Sequence, residues 1–186
     1  MIRVLDKGHV ALIRPSFTKQ DIRDLKNDGF NTKRFQRHIF VSMIVKCPLF
    51  VKMTFPEFGL ITATGKHDKT ETYHPTLNDV KATTPTIGQE IADDIKATSE
   101  ALMINPRAYR ADGCDRFVSQ VNSPIGLYNK VMVSGLLEDW NKFISCNKLP
   151  TLIEAYREAI HSLIMTEYQE VINGSFEEEA DNSKEV

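Results

Sequence analysis

The sequence has few cysteines and none of the patterns that accompany disulfide frameworks or structural zinc. Only three cysteines occur among its 186 residues: Cys47, Cys114 and Cys146. They are odd in number, far apart in the chain and never in C-x-x-C spacing, which argues against both disulfide pairing and zinc. This usage fits a reducing compartment, so we expect a cytoplasmic protein.

A strong excess of either charge and long apolar runs are also lacking. The formal net charge is −2, and no basic stripe marks a nucleic-acid-binding surface, so we expect no nucleic-acid partner. No signal-peptide pattern stands at the first residues and no apolar run is long enough to span a bilayer, so no membrane partner is expected. A chain of this length is usually one domain with room for a core.

The most apolar stretch covers residues 36–59, QRHIFVSMIVKCPLFVKMTFPEFG. Its β-branched residues concentrate between His38 and Lys46, which predicts a buried strand. Pro48 stands where a helix can begin, because the first helical turn tolerates a missing N–H. The short helix that we expect to follow is stopped at Pro56. Its predicted apolar face consists of Leu49, Phe50 and Met53.

The segments around this stretch predict a mixture of strands and helices. Residues 1–13 alternate around an Asp-Lys-Gly turn, which predicts two short strands. Thr18 and Asp21 form a capping-box pattern for a helix that ends at Asp28-Gly29. Residues 61–86 are rich in threonine and lysine and predict a long loop, with a short strand near residues 60–64.

The second half of the chain predicts helices around one more strand. Thr86 and Gln89 form a capping box for a helix to residue 104, and Asn105-Pro106 predicts the start of another. A strand at 127–134 and a helix at 135–144 are followed by a helix from Pro150 to about residue 172, capped at Asn173-Gly174. The prediction is one domain at residues 1–174 and an acidic, disordered tail at 175–186.

A histidine-led apolar strand followed by K-x-P-hydrophobic-F-V resembles the centre of the flavin-dependent thymidylate synthases. The start, MIRVLDKGHVALI, is similar to the first strands of that family, and residues 115–144 are similar to its later arginine, L-Y, strand and helix. The resemblance implies an α+β fold with a mixed or antiparallel sheet packed with helices in a single domain. It also implies a homo-oligomer, a homotetramer in that family, with sites built between subunits.

The chain departs from the family at several positions that carry its chemistry. The R-H-R-x7-S signature is absent, and Glu57-Phe58-Gly59 stands in its place. Leu136 and Glu138 occupy positions where the family has an asparagine and an arginine that contact flavin. An apolar side chain cannot donate a hydrogen bond, and a carboxylate repels a diphosphate. FAD is therefore expected to bind weakly or not at all, while a folate remains a possible second cofactor.

The resemblance also points to individual site residues. It implies that His38 and Arg37 contact the flavin, although Arg37 stands where the family carries an acid. It implies substrate contacts from Arg116, from Lys69 in place of a phosphate-binding arginine, and from His67 near the family's serine. The competing interpretation makes all of these solvated surface groups. His67, Asp68 and His74 match no common zinc spacing, so no metal site is predicted.

Three functions follow as alternatives. The first is a divergent thymidylate synthase-like protein with a degenerate active site. It would bind a pyrimidine deoxynucleotide such as dUMP with its standard activity lost or altered, for example to methyl or hydroxymethyl transfer at C5. The second is a non-catalytic interaction protein that uses the oligomer interface of the fold to bind a homologue, as a hetero-oligomer, or an unrelated partner. The third is full thymidylate synthase activity through substituted residues.

Overall fold

A five-stranded antiparallel sheet forms the centre of the computed structural model, which describes residues 1–13, 15–65, 71–76, 79–80, 85–111 and 126–182. The strand order is β1-β2-β3-β5-β4. The strands are β1 (Ile2–Val4), β2 (Gly8–Leu12), β3 (Phe40–Pro48), β4 (Ile61–Thr64) and β5 (Tyr128–Leu136). The longest pairing joins β3 to β5, from Phe40 opposite Leu136 to Pro48 opposite Tyr128.

Helices follow or connect the strands. They are α1 (Lys19–Asn27), α2 (Thr32–Phe35), α3 (Leu49–Thr54), α4 (Pro85–Ala111), α5 (Leu137–Ile144) and α6 (Thr151–Asn182). A 3₁₀ turn, Phe55–Phe58, continues from α3. Helix α6 has a non-helical residue at Tyr168, where two helical segments join at a kink.

The core lies between one face of the sheet and the helices α5 and α6. Because strand side chains alternate between faces, every second residue of β3 and β5 points into it. The buried strand residues include Val41, Met43, Val45, Cys47, Val131 and Val133. The buried helix residues that belong to the same cluster include Trp140, Phe143, Tyr156, Ile160 and Ile164. Each such side chain contributes about 1.5–3 kcal/mol on burial, so this layer dominates the stability of the domain.

Much of this architecture agrees with the sequence. The predicted α+β class is confirmed, and the sheet is antiparallel throughout the described strands. The hairpin of β1 and β2, the strand near residues 60–64 and the strand that begins near residue 127 are present. Helix α1 has the predicted capping box, in which the Thr18 side chain accepts from the Asp21 N–H and the Asp21 carboxylate accepts from the Thr18 N–H.

The predicted apolar face of α3 was wrong at Met53, whereas Phe50 packs against the core as predicted. Met53 is 65% exposed, whereas Val51 and Phe55 are fully buried. The Phe55 ring lies 5.4 Å from the ring centre of Phe143 and 6.4 Å from that of Trp140. Residues four apart lie on one side of a helix, so the aromatic contacts of Phe55 rotate Val51 inward and Met53 outward.

Three predicted element boundaries were also wrong. Helix α4 runs through Asn105-Pro106 without a break, because strong helix formers on either side outweigh the missing N–H. Helix α6 passes the predicted cap at Asn173-Gly174 and continues to Asn182, since glycine weakens a helix by only about 1 kcal/mol relative to alanine. Gly135 and Leu136 belong to β5 and not to the following helix, since they pair with Val41 and Phe40.

Candidate functional site

A groove lies where the end of α1 meets α2. The chain leaves α1 through a Schellman motif, with the N–H of Phe30 donating to the Leu25 carbonyl at 3.1 Å and that of Gly29 to Lys26 at 3.0 Å. Gly29 has φ +82°, a left-handed conformation that glycine adopts without a steric penalty. The motif turns the chain back, so that Phe30 and Leu25 line the same groove.

Three phenylalanine rings make this groove aromatic. Its volume is about 600 Å³, in the range of small-molecule sites. The rings of Phe30 and Phe35 are 6.1 Å apart between centroids and tilted by 40°. Phe30 is 56% exposed, which is unusual for a side chain of this size and leaves its face accessible. The lining residues, called the phenylalanine groove below, are Phe17, Leu25, Gly29, Phe30, Asn31, Arg34, Phe35 and His38.

Two basic side chains complete the phenylalanine groove. Arg34 lies on α2, where its backbone N–H donates to the Asn31 carbonyl at 3.2 Å. His38 lies in the turn that follows, and its backbone N–H donates to the Phe35 carbonyl at 2.8 Å. Within the described part of the chain, neither basic side chain forms an ion pair with a carboxylate. The flat ring of a ligand can stack on the phenylalanine side chains, while the guanidinium of Arg34 and the imidazole of His38 can donate hydrogen bonds to an anionic substituent on that ring. The arrangement therefore suits an aromatic anion.

The two predicted flavin contacts have different surroundings. His38 lines the phenylalanine groove, as described above. Arg37, its neighbour in the chain, instead donates from Nε to Glu138 Oε2 at 3.1 Å, at the first turn of α5. Glu138 is the residue that replaces a predicted flavin anchor. The guanidinium of Arg37, which the resemblance assigns to flavin binding, is therefore paired with Glu138 instead.

The predicted substrate contacts Arg116, Lys69 and His67 lie outside the described residues. Leu136 ends β5, opposite Phe40 of β3. Sequence reasoning missed Phe17, Phe30, Phe35 and Arg34. The available signal was the helix stop at Asp28-Gly29 followed by a phenylalanine, because a Schellman motif commonly brings the next apolar residue back against the helix.

His74 lies in the segment at residues 71–76, between β4 and α4. Its Nε2 is 3.3 Å from the hydroxyl of Thr72, and its buried Nδ1 has no hydrogen-bond partner among the described residues. The next side chain, Tyr73, donates to Asp79 Oδ2 at 2.5 Å. In the described ranges, no group of three or more histidine, cysteine, aspartate or glutamate side chains is arranged to hold a metal ion.

No family model matches the chain, and no curated protein sequence matches it significantly. Among the helices that the structure describes, none is both long and apolar enough to cross a membrane.

Proposed function

We propose that this protein is a divergent flavin-dependent thymidylate synthase-like protein that binds a pyrimidine deoxynucleotide, dUMP or a close analogue, without the family's standard reaction. The observation that supports it best is the phenylalanine groove, where Phe30 offers an exposed ring beside Arg34 and His38. The uracil ring stacks on the phenylalanine floor, and the phosphate meets the guanidinium of Arg34. Arg116 and Lys69 are proposed as further cations for the same phosphate.

The loss of the family's standard reaction follows from the absence of residues that the family uses to bind its substrate and flavin. The family's R-H-R-x7-S signature is absent from the sequence, and Glu138 with its partner Arg37 stands at a proposed flavin position. A carboxylate near a flavin diphosphate is repulsive, and losing one charge-assisted contact costs about 1.5–3 kcal/mol. FAD binding is therefore proposed to be weak or absent, so the flavin-dependent reduction of the standard reaction is lost.

Calorimetric titration of dUMP tests the proposal. Base stacking on an aromatic side chain is worth about 1–3 kcal/mol, so Phe30→Ala is expected to weaken binding by roughly tenfold. Arg34→Ala is expected to weaken it by about tenfold or more. Phe40→Ala is the matched control, because Phe40 is 43% exposed but lies on β3 outside the groove. No binding of dUMP by the wild-type protein, or equal binding by all three variants, contradicts the proposal.

A second candidate function is oligomerisation or binding of a homologue through α4. Ile87, Ile91 and Ile95 recur every four residues on this helix and are 43%, 41% and 40% exposed. Soluble proteins rarely leave large apolar side chains grouped in this way unless another protein covers them. The helix has 27 residues and is about 40 Å long, which gives ample length for contact with a second copy of this chain.

Light scattering on Ile91→Asp tests this second function. The variant is expected to halve or further reduce the mass of the wild-type oligomer. Ile104→Asp is the matched control, because Ile104 is 64% exposed and lies on the opposite side of the same helix. A monomeric wild-type protein at micromolar concentration would refute the oligomer.

A further inference from the structure

Four basic side chains form a row across the sheet, at the end far from the phenylalanine groove. Arg3 of β1 pairs with His9 of β2, His9 pairs with Lys46 of β3, and Lys46 pairs with Lys130 of β5. Adjacent strands are about 4.8 Å apart, so the four positions span about 14 Å. Val10, Val45 and Val131, which are the next residues in these strands, are buried in the core. The basic side chains therefore face away from the core.

A row of like charges opposes folding unless something compensates it. Like charges directly opposite each other on neighbouring strands destabilise a sheet. Glu71 is the one carboxylate that pairs with the row among the described residues, and it contacts the Lys46 ammonium. Lys46 also lies 5.7 Å from the centre of the Tyr128 ring, a cation–π distance. One carboxylate against the charges of Arg3, Lys46 and Lys130 leaves the row with an excess of positive charge.

The pKa of His9 is sensitive to this excess of positive charge. Partial burial lowers the pKa of His9, and the nearby ammonium groups of Lys130, Lys46 and the amino terminus lower it further. Among the described residues, no carboxylate contributes to this lowering of the His9 pKa. Arg3 lies across the β1–β2 pair, and Glu71 contacts Lys46. With the ammonium groups, these are the charged groups near His9 in the part of the chain that the structure describes. An anion placed among them would replace repulsion between cations with attraction.

We propose that this row, Arg3, His9, Lys46 and Lys130, is a second binding site that takes the phosphate groups of a small di- or triphosphate compound. The recessed position of Lys46, whose side chain is 18% exposed, suits a compact ligand that reaches into the row between the exposed Arg3 and Lys130. The net charge of −2 works against the long-range attraction that an extended nucleic-acid strand requires. Lys46 lies six residues, about 20 Å, along β3 from Phe40. His38 precedes the strand, in the turn after α2, so the two sites are independent.

The test uses inorganic pyrophosphate and the full-length protein labelled with ¹⁵N-histidine. Pyrophosphate is expected to shift the His9 ring resonances and to raise the pKa of His9, since an anion favours the imidazolium. Lys130→Ala is expected to weaken pyrophosphate binding at least about fivefold, because an exposed lysine contributes a charge-assisted contact without supporting the core. Lys148→Ala, another exposed lysine outside the row, is the matched control and is expected to bind as the wild type does.

Binding experiments with sulfate and with a single-stranded oligonucleotide complete the test. Sulfate keeps its charge between about pH 5 and 8, so its binding is expected to strengthen as the pH falls and His9 gains a proton, and His9→Gln is expected to remove that dependence. The proposal is overturned if pyrophosphate leaves the His9 resonances unchanged or if Lys130→Ala binds it as tightly as the wild type. An oligonucleotide that binds the row more tightly than pyrophosphate also overturns it, in favour of a polymeric partner.

Discussion

Tyr128 donates a hydrogen bond to Asp6 Oδ1 at 2.5 Å and so ties the first residue of β5 to the turn between β1 and β2. The two residues are 122 positions apart in the chain. Tyr128 is fully buried, and its burial and the carboxylate of Asp6 both raise the pKa of its phenol. The hydroxyl therefore remains a donor at all physiological pH values and fixes an edge hairpin to the centre of the sheet.

Tyr128→Phe is expected to lower the free energy of unfolding by about 1–2 kcal/mol. The substitution keeps the ring and removes only the donor, and a hydrogen bond to a charged partner contributes about 1.5–3 kcal/mol, reduced here because the exposed Asp6 can be hydrated again. Denaturant unfolding measures the change. Asp6→Asn and the double variant complete a cycle, and additive effects of the two substitutions would argue against a direct interaction.

Gly8→Ala is expected to be severely destabilising. A Cβ at this position would lie 2.0 Å from the Tyr156 hydroxyl, 2.6 Å from the Val4 carbonyl and 2.9 Å from the Lys46 carbonyl. Two of these atoms belong to strand backbones and cannot move aside, so the loss is expected to reach about 3 kcal/mol or more.

Gly29→Ala is the informative control for Gly8→Ala. Its Cβ would meet no atom of the described residues within 4 Å, so the φ of +82° is what opposes the substitution. The strain of a left-handed residue costs about 1–2 kcal/mol. Thermal unfolding that ranks Gly29→Ala as the more damaging substitution would contradict the close packing at Gly8.

The elements of the fold could be predicted where their signals are local. The capping box of Thr18 and Asp21 fixes the start of α1 within four residues, and the β-branched residues after His38 predict β3. The strand near residue 127 was predicted too, apart from its last residues, Gly135 and Leu136. The contact between Tyr128 and Asp6 could not be predicted, because nothing local links residues so far apart in the chain. The orientation of α3 was mispredicted for a related reason, since Phe55 is turned inward by aromatic partners from α5.

Cys47 is expected to be unreactive towards thiol reagents in the native protein. Burial raises the pKa of its thiol from 9.0 to about 12, so almost no thiolate is present at neutral pH. Alkylation followed by mass spectrometry compares Cys47 with the half-buried Cys146 in the same molecule. Labelling of Cys47 as fast as Cys146 would show that the strand opens.

The same shift predicts how stability depends on alkaline pH. The unfolded thiol loses its proton near its ordinary pKa of 9.0, whereas the folded thiol keeps it until about 12. The contribution of Cys47 to stability is therefore fully present below about pH 9 and is lost as the pH rises towards 12. Cys47→Ala is expected to flatten the fall in unfolding free energy between about pH 9 and 12. An unchanged fall in this variant would show that a group other than the Cys47 thiol causes it.

FAD is not expected to copurify with the protein in stoichiometric amounts. The Arg37–Glu138 pair is 73% and 35% exposed, so it adds little to stability, and Glu138→Ala is expected to change the unfolding free energy by less than about 1 kcal/mol. The same substitution removes a carboxylate and releases the guanidinium. Fluorescence titration is expected to show FAD binding more tightly to Glu138→Ala than to the wild type, and a wild-type protein purified with bound flavin would refute the prediction.

The candidate site was only half accessible from the sequence. His38 was identified by resemblance, and it lines the phenylalanine groove. Phe30 and Arg34 were not identified, because their convergence depends on the direction in which the chain leaves α1, and a helix stop at Asp28-Gly29 gives the position of the turn but not its direction. Arg37 was assigned to flavin without its partner Glu138, which is 101 residues away.

Arg116 and Lys69 are expected to contribute unequally to dUMP binding. Arg116→Ala is expected to remove about 2 kcal/mol or more, a loss of roughly thirtyfold in affinity, because a guanidinium presents a fixed fork of donors to phosphate oxygens. Lys69→Ala is expected to cost less, since a lysine is a single point charge whose flexible side chain loses entropy when it is held. Calorimetric titration in parallel with Arg34→Ala compares the three cations. If dUMP binds to wild type and to Arg116→Ala equally well, while Arg34→Ala binds more weakly, the phosphate is held at the phenylalanine groove alone and the residue-by-residue transfer from the family fails.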